Sequence, residues 1–442
     1  MASGAFMMPS TLSVSLSQDS YQRSAGIHGL APRMYNSKWE SLLQRRIKHL
    51  QCLVPAKRTK IIQALAIPDA PASLDNAECR KRLAESYGYT QIGEPLPGNV
   101  TLKDIVETIP KKLYEIDHVK SLKALSFSVG TYALGLFMTS QAPWYLLPFA
   151  WALTGTAASG LFCIGHDCGH KSFWKNKLVE DIIGTLVFLP LIYPYEGWRF
   201  EHDRHHAKTN MLHEDSGWHP IWREDFETSP LARKAMIYGY GLLRPWMTIA
   251  HWLMWHFDSS KFRPNEAKRV KLSVACVYAF MAIGCPLLIY ETGVTGLINY
   301  WLMPWLVFHF WMSTVTMIHH SSPHIPFKSP DEWNPVKAQF SGTTHCDFPY
   351  WIEEFLHHIN VHLPHHLVPK IPSYNLRAAH ESLRENWGKY ISEANWNWRL
   401  MKMIMTECHV HNPEQNYVAF DELAPEEAGS VSFIRKMMPD WT

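Results

Sequence analysis

Long stretches without charge alternate with polar segments along this 442-residue chain. Residues 124–165 contain no Asp, Glu, Lys or Arg, and two prolines near the middle of the stretch are typical of a turn. Because one membrane-spanning helix takes about 20 residues, this stretch is long enough for two. A second uncharged pair covers residues 272–290 and 292–327, with Glu291 between them. The pattern predicts four spanning helices arranged as two hairpins.

A shorter apolar stretch, residues 182–195, lies between the two pairs. It is too short to cross a membrane, and we expect it to lie along the membrane interface or in the protein core. An even number of crossings brings the polar segments before 272 and after 327 to one face. The lysines before the first predicted span place that face on the cytoplasm-like side: Lys111, Lys112, Lys120 and Lys123. The predicted fold class is an all-α membrane protein with four transmembrane helices and a polar helical cap.

Composition supports a membrane protein in a reducing compartment. The chain holds 19 tryptophans and its residues are 13% aromatic, and tryptophan and tyrosine are enriched at membrane interfaces. A net charge of +2 gives no argument for binding nucleic acid. The eight cysteines are scattered without a C-x-x-C pair, which favours reduced thiols over a disulfide framework.

The first 26 residues contain seven serines and one acidic residue. This composition resembles an organelle transit peptide, and an ordinary disordered tail is the alternative. The domain organisation predicted from these patterns has four parts. They are a transit peptide and flexible N-terminus at 1–50, a soluble segment at 51–115, the membrane domain at 116–400 and a C-terminal tail at 401–442.

The candidate chemistry lies in three compact clusters of histidine with helical spacing, and we call these clusters the histidine boxes. Residues at i, i+3 and i+4 of a helix share a face, so pairs of imidazoles within a box can share one metal ion. The first box holds His166 and His170, the second holds His202, His205 and His206, and the third holds His362, His365 and His366. Three unrelated surface clusters are the alternative interpretation.

Eight imidazoles exceed the coordination of one ion and suit two. A transition metal accepts at most about six ligands, and a catalytic ion leaves a position open. Imidazole ligands suit zinc, copper and iron alike. Hydrolysis of a lipid would need one zinc with an activated water, whereas oxidation of an unactivated C–H bond by O₂ needs a metal cofactor such as a pair of irons.

The order of spans and boxes resembles the membrane fatty acyl desaturases, with "HDCGH", "HDRHH" and "HLPHH" in the family's order. Longer stretches, such as "YPYEGWRFEHDRHHAKTNML", resemble the plastid ω-6 (Δ12) acyl-lipid desaturases. The resemblance implies that the eight box histidines bind two irons and that His320 is a further ligand. Asp167 and Asp203 are candidates for orienting the imidazoles, with solvated charges as the alternative.

The function implied by this resemblance is O₂-dependent insertion of a cis double bond into the acyl chains of membrane glycerolipids. The sequence does not show the haem loop of a fused cytochrome b5, so we expect a separate electron donor. We predict that this donor is ferredoxin. A plastid membrane is the expected location, with the metal face towards the stroma. A hydroxylase on the same scaffold is the close alternative. A histidine-rich metal transporter is a further one, although its ligands should lie near mid-membrane.

Overall fold

The computed structural model describes residues 76–441, which belong to one compact unit of the chain. The predicted transit peptide and the predicted domain limit at residue 50 lie outside the described residues. The limits at 115 and 400 remain predictions.

The described chain is mainly helical. Its α-helices are α1 Ala77–Tyr87, α2 Leu102–Val106, α3 His118–Gln141, α4 Leu147–Gly169, α5 Lys177–Phe188, α6 Tyr195–Lys208, α7 Arg223–Phe226, α8 Pro230–Tyr240, α9 Thr248–Trp255, α10 Pro264–Leu297, α11 Met303–His320, α12 Tyr350–Phe355, α13 His362–Leu367, α14 Leu376–Trp387, α15 Trp398–Glu407, α16 Phe420–Leu423 and α17 Gly429–Met437.

Short elements connect these helices. The 3₁₀ turns are Lys111–Tyr114, Leu189–Leu191, Arg244–Trp246, Ser259–Lys261, Ser373–Asn375 and Gly388–Tyr390, and π-helical turns cover Ile298–Leu302 and Lys337–Ser341. Strands β1 His345–Asp347 and β2 Glu393–Asn395 pair in parallel, and β3 Val410–Asn412 pairs antiparallel with β4 Asn416–Val418.

Helices α3 and α4 form an antiparallel hairpin whose polar end carries the first histidine box. The side chain of Asp117 caps α3 by accepting hydrogen bonds from the backbone amides of Val119 and Lys120. The hydroxyl of Ser121 donates to the carbonyl of Phe173 at 2.8 Å, which ties the start of α3 to the segment after α4. The beginning of α3 and the end of α4 therefore lie at the same end of the hairpin.

Two helices of the described chain are long and apolar enough to cross a membrane, Leu147–Gly169 and the run Pro264–His320. The pair Lys177–Leu191 and Tyr195–Lys208, bent by 103°, is a third candidate. The run from 264 to 320 is interrupted at Gly293, whose φ of 70° and ψ of −177° are not helical. A residue without a Cβ adopts this conformation readily. The structure is therefore helical with two or three candidate spans.

The bend between α5 and α6 sits inside the protein and its backbone is held by tryptophans. The indole Nε1 atoms of Trp301, Trp305 and Trp252 donate to the carbonyls of Pro190, Leu191 and Ile192, at 3.2, 2.9 and 2.6 Å. Carbonyl groups at a helix end lack helical partners, and non-helical backbone is costly away from water unless it is bonded. These three bonds, which we call the tryptophan clamp, fix the direction in which α6 leaves the bend.

Candidate metal centre

Four helices bring nine histidines together. The first box lies on the last turn and C-cap of α4, and the second box lies on α6. The third box lies on α13, and His320 is the last residue of α11. The imidazoles are buried or nearly so. Residues more than 150 positions apart in the sequence therefore face one another in the interior.

The ligand atoms form a first group of five imidazoles. This group contains His166, His170, His202, His206 and His365, and their ligand nitrogens all lie within 4.8 Å of one another. The Nε2 atom of His206 is 3.2 Å from that of His202 and 3.0 Å from that of His365. Each of the three boxes contributes to this group, so one ion would bridge the three helices.

A second group contains His205, His320 and His366, with the same spacing between ligand atoms. The Nε2 atom of His205 is 3.3 Å from that of His320. His362 adjoins this group, because its Nε2 atom lies 3.0 Å from Nε2 of both His320 and His366. In the second box, the adjacent His205 and His206 point to different groups, as expected for neighbours that diverge by about 100° on a helix.

The donor set fits two transition-metal ions. Burial lowers the pKa of His362 to about 3 and the pKa of His365 and His366 well below the usual range, so these imidazoles are neutral and keep a lone pair for a metal. Nε2 atoms about 3 Å apart either share a proton in an N–H···N hydrogen bond or direct their lone pairs at a cation between them. Five imidazoles around one position and four around the other match the ligand numbers of two transition-metal ions.

A carboxylate missed by the sequence reasoning orients one of these rings. The Nδ1 atom of His205 is 2.7 Å from Oδ1 of Asp215, a side chain that is fully buried. Asp215 also accepts hydrogen bonds from the backbone amides of Asn210 and Gly217, both at 2.8 Å. A ligand histidine usually donates its other ring N–H to such a group, which fixes the ring and strengthens the donor. Asp215 lies in the turn after α6, where it belongs to none of the repeated histidine spacings.

A second group missed by sequence reasoning is Gln339, on the π-helical turn Lys337–Ser341. Its Oε1 atom accepts from Nδ1 of His366 at 3.0 Å, and its amide nitrogen donates to the carbonyl of His206. The hydroxyl of Thr209 lies 3.3 Å from the same Oε1 atom. Gln339 therefore ties a ring of the third box to the backbone of the second, a link that local sequence spacing does not reveal.

The two aspartates proposed from sequence lie in different surroundings. Asp167 is buried, with its Oδ1 atom 3.5 Å from Nδ1 of His166 and its Oδ2 atom accepting from the amide of Ser373 at 3.1 Å. The side chain of Asp203 is 45% exposed and pairs with Arg199 at 2.9 Å. Asp167 thus adjoins a ligand ring, whereas the hydrogen bond found for the Asp203 carboxylate in residues 76–441 is to a guanidinium.

His319, the neighbour of His320, is fully buried but belongs to neither ligand group. Its ring stacks on that of His362, with 4.3 Å between centroids and 15° between planes. His319 therefore supports a ligand ring by packing.

A cavity of about 330 Å³ opens onto the histidines. Its wall near the centre holds His166, His202, His205, His320 and His362, and its apolar lining includes Phe162, Met312, Val315 and Ile359. No sequence pattern marks residues for substrate binding. An apolar cavity beside a polar centre is the usual form of a site for an apolar ligand.

Comparison with known proteins agrees with this geometry. Residues 142–398 match the family model described as fatty acid desaturase. The chain is 62% identical to an omega-6 fatty acid desaturase, chloroplastic, of Brassica napus and 61% identical to that of Arabidopsis thaliana. Each match covers 93% of this chain and 93% of the relative. An sn-1 oleoyl-lipid 12-desaturase of Synechocystis sp. is 46% identical over 74% of this chain and 93% of the relative.

The matched region contains the three histidine boxes and His320, so the family and the centre rest on the same residues. The resemblance inferred from the boxes is confirmed. The chain belongs to the fatty acid desaturase family.

Proposed function

We propose that the chain is an O₂-dependent di-iron desaturase that introduces a cis double bond at the ω-6 (Δ12) position of acyl chains in membrane glycerolipids. The observation that carries the proposal is the pair of imidazole groups beside an apolar cavity. The relatives named as omega-6 and oleoyl-lipid 12-desaturases support the position of the bond. The nine histidines are the proposed ligands of the irons.

Two irons would supply the activation of O₂ that side chains do not provide. The protein's own part is to hold the ligand rings and the substrate. Asp215 and Gln339 fix two rings through their Nδ1 atoms. The apolar wall of the cavity would hold an acyl chain with adjacent CH₂ groups facing the centre and would exclude bulk water, which protects reactive species from side reactions.

The proposed membrane arrangement has four spans in two hairpins, with a polar helical cap. Helix α3 has 24 residues and is about 36 Å long, enough to cross the hydrocarbon core. Leu134 and Phe137 on α3 are 52% and 62% exposed, as expected for side chains that face lipid. The break at Gly293 supports two spans within the run from 264 to 320.

The proposed location is a plastid membrane, with the metal face towards the stroma and ferredoxin as the electron donor. The relatives named as chloroplastic support the compartment. Fractionation of cells that express the chain, followed by assay with reduced ferredoxin, tests this part. Activity that depends on cytochrome b5 in the endoplasmic reticulum would contradict it.

The reaction itself is tested by feeding defined oleoyl lipids to expressing cells and reading the position of new double bonds by mass spectrometry. A desaturase product has two hydrogen atoms fewer than the substrate, whereas a hydroxylase product has one oxygen atom more. We expect a dienoyl product with the new bond at the ω-6 position. A hydroxylated product would replace the proposal with the alternative on the same scaffold.

A further inference from the structure

Three segments form a lysine-rich surface at the polar end of the α3–α4 hairpin. They are residues 111–120, residues 170–177 and residues 370–375, and together we call them the lysine surface. Six exposed lysines on it have no carboxylate within salt-bridge distance in residues 76–441: Lys111, Lys112, Lys120, Lys175, Lys177 and Lys370. The surface holds only two acidic side chains, Glu115 and Asp117.

Direct contacts join the three segments. The ring of His118 stacks on that of Trp174 with 3.9 Å between centroids. The backbone amide of Asp117 donates to the hydroxyl oxygen of Tyr374 at 2.8 Å, and Nζ of Lys120 lies 5.2 Å above the same aromatic ring. These contacts make the six lysines one positive surface rather than separate charges.

The 3₁₀ turn Ser373–Asn375 also contacts the first segment, residues 111–120. The side-chain amide of Asn375 donates to the carbonyl of Leu113 at 2.9 Å. This bond brings Lys111 and Lys112, which precede Leu113, beside the segment that carries Lys370.

One segment of the lysine surface is connected to the candidate metal centre. Ser373 follows the third histidine box by seven residues and donates its amide to Asp167 at 3.1 Å. Asp167 in turn adjoins His166 of the first group, with 3.5 Å between Oδ1 and Nδ1. A short path of covalent and hydrogen bonds therefore connects the surface segment to a proposed ligand.

We propose that the lysine surface is the docking site of the electron donor, a small acidic protein that carries one electron on an iron–sulfur cluster. The inference rests on the proposed function, because each desaturation reduces O₂ to two waters and the substrate supplies only half of the electrons. Two electrons come from the carrier, one at a time, and two protons come from solvent. A positive surface attracts an acidic partner and accelerates its binding.

The first measurement is the affinity of acidic plant-type ferredoxin, with a redox-inactive gallium-substituted cluster, for the full chain in nanodiscs. The test variant reverses three charges, Lys111→Glu, Lys112→Glu and Lys370→Glu. Lys120 is left intact because it lies in the first turn of helix α3 and contacts the Tyr374 ring. The control variant reverses three exposed lysines elsewhere: Lys234→Glu, Lys268→Glu and Lys436→Glu.

We expect the test variant to raise the Kd for the carrier at least about tenfold and to lose most of the salt dependence of binding. The KM for reduced carrier should rise in parallel, while kcat at saturating carrier and iron content stay near those of the control variant. Equal Kd values for the test and control variants would overturn the proposal.

Membrane lipids are the competing source of negative charge. Nanodiscs of phosphatidylcholine alone and of phosphatidylcholine with phosphatidylglycerol separate the two. If the test variant loses only an effect of phosphatidylglycerol and keeps its affinity for the carrier, the lysine surface binds lipid and the proposal is wrong. Desaturation by the wild-type chain with reduced carrier tests the proposed function separately, since it does not depend on either variant.

Discussion

The Nδ1 atom of His205 and the Oδ1 atom of Asp215 lie 2.7 Å apart, in a pocket where the carboxylate is fully buried. Because His205 presents its Nε2 atom to the second imidazole group, this bond sets both the tautomer and the direction of a proposed ligand. The carboxylate also accepts two backbone amides. The ring is therefore held in its ligand position by the turn that follows helix α6.

Asp215→Asn should weaken metal binding because an amide holds the imidazole less strongly than a carboxylate. We expect a loss of about 10- to 100-fold in iron affinity. The measurement is the iron content after dialysis against increasing concentrations of a chelator. The matched control is Asp225→Asn, at an exposed position on α7. Iron retention by Asp215→Asn equal to that of the control would show that the hydrogen bond has no role in holding the metal.

Gly217→Ala should displace the same ring by crowding. A Cβ atom at residue 217 would lie 2.4 Å from Nδ1 of His205, closer than any non-bonded carbon–nitrogen contact allows. We expect the variant to fold but to bind less iron in the second group, giving below two irons per chain by metal analysis. Gly98→Ala provides the control, because a Cβ there meets no atom within 4 Å. Full iron content in Gly217→Ala would mean that the ring can move without leaving its ligand position.

The adjacent His319 and His320 should differ sharply in their tolerance to substitution. His320 lies in the second imidazole group, whereas His319 stacks on His362 and lies in neither group. We expect His320→Ala to lose desaturated product and part of the iron, and His319→Gln to keep substantial activity. Product and metal content are measured at matched expression. An active His320→Ala variant with full iron would remove His320 from the ligand set.

Glu353 should contribute stability that depends on pH. Its carboxylate accepts hydrogen bonds from the amide of Phe348 at 2.9 Å, from the side chain of Asn360 at 2.7 Å and from Arg377. Burial alone would raise the pKa of Glu353, but hydrogen bonds from His358, Phe348 and Arg377 lower it below the usual range. Glu353→Gln should therefore lower the free energy of unfolding at neutral pH by about 1.5–3 kcal/mol.

The sign of this pH dependence follows from the lowered pKa. The extra stability of the wild type over Glu353→Gln is fully present above the unfolded pKa of about 4.3 and is lost as the pH falls through the folded value. Thermal unfolding in detergent at several pH values measures it. Glu385→Gln, at an exposed position on α14, is the control. A constant difference across the acid range would contradict the assignment.

The sequence predicted which histidines come together better than it predicted the groups that hold their rings. The eight box histidines were found because two short spacings repeat, and the structure gathers all eight in one interior region. Asp215 and Gln339 were missed because they reach the rings through a turn and a π-helical segment. Such contacts depend on how distant segments pack, and no local periodicity records that.

The membrane arrangement was predicted only in part for a related reason. Hydropathy identifies long segments without charged residues, but it does not reveal that α5 and α6 meet at a bend of 103°. That bend depends on tryptophans far along the chain, such as Trp305, which lies 114 residues beyond the carbonyl it binds. Segments that were expected to lie along the interface or in the core thus take their direction from later helices.

The tryptophan clamp has a consequence for the order of assembly. Helix α6 carries the second histidine box, yet the indoles that hold its entry bend come from α9 and from the segment around α11. During synthesis the second box is complete long before Trp252, Trp301 and Trp305 have emerged. A partly synthesised chain therefore lacks the support that directs this box towards the others. A chain cut before Trp301 would keep the second box but only one of the three indoles that hold its entry bend, that of Trp252.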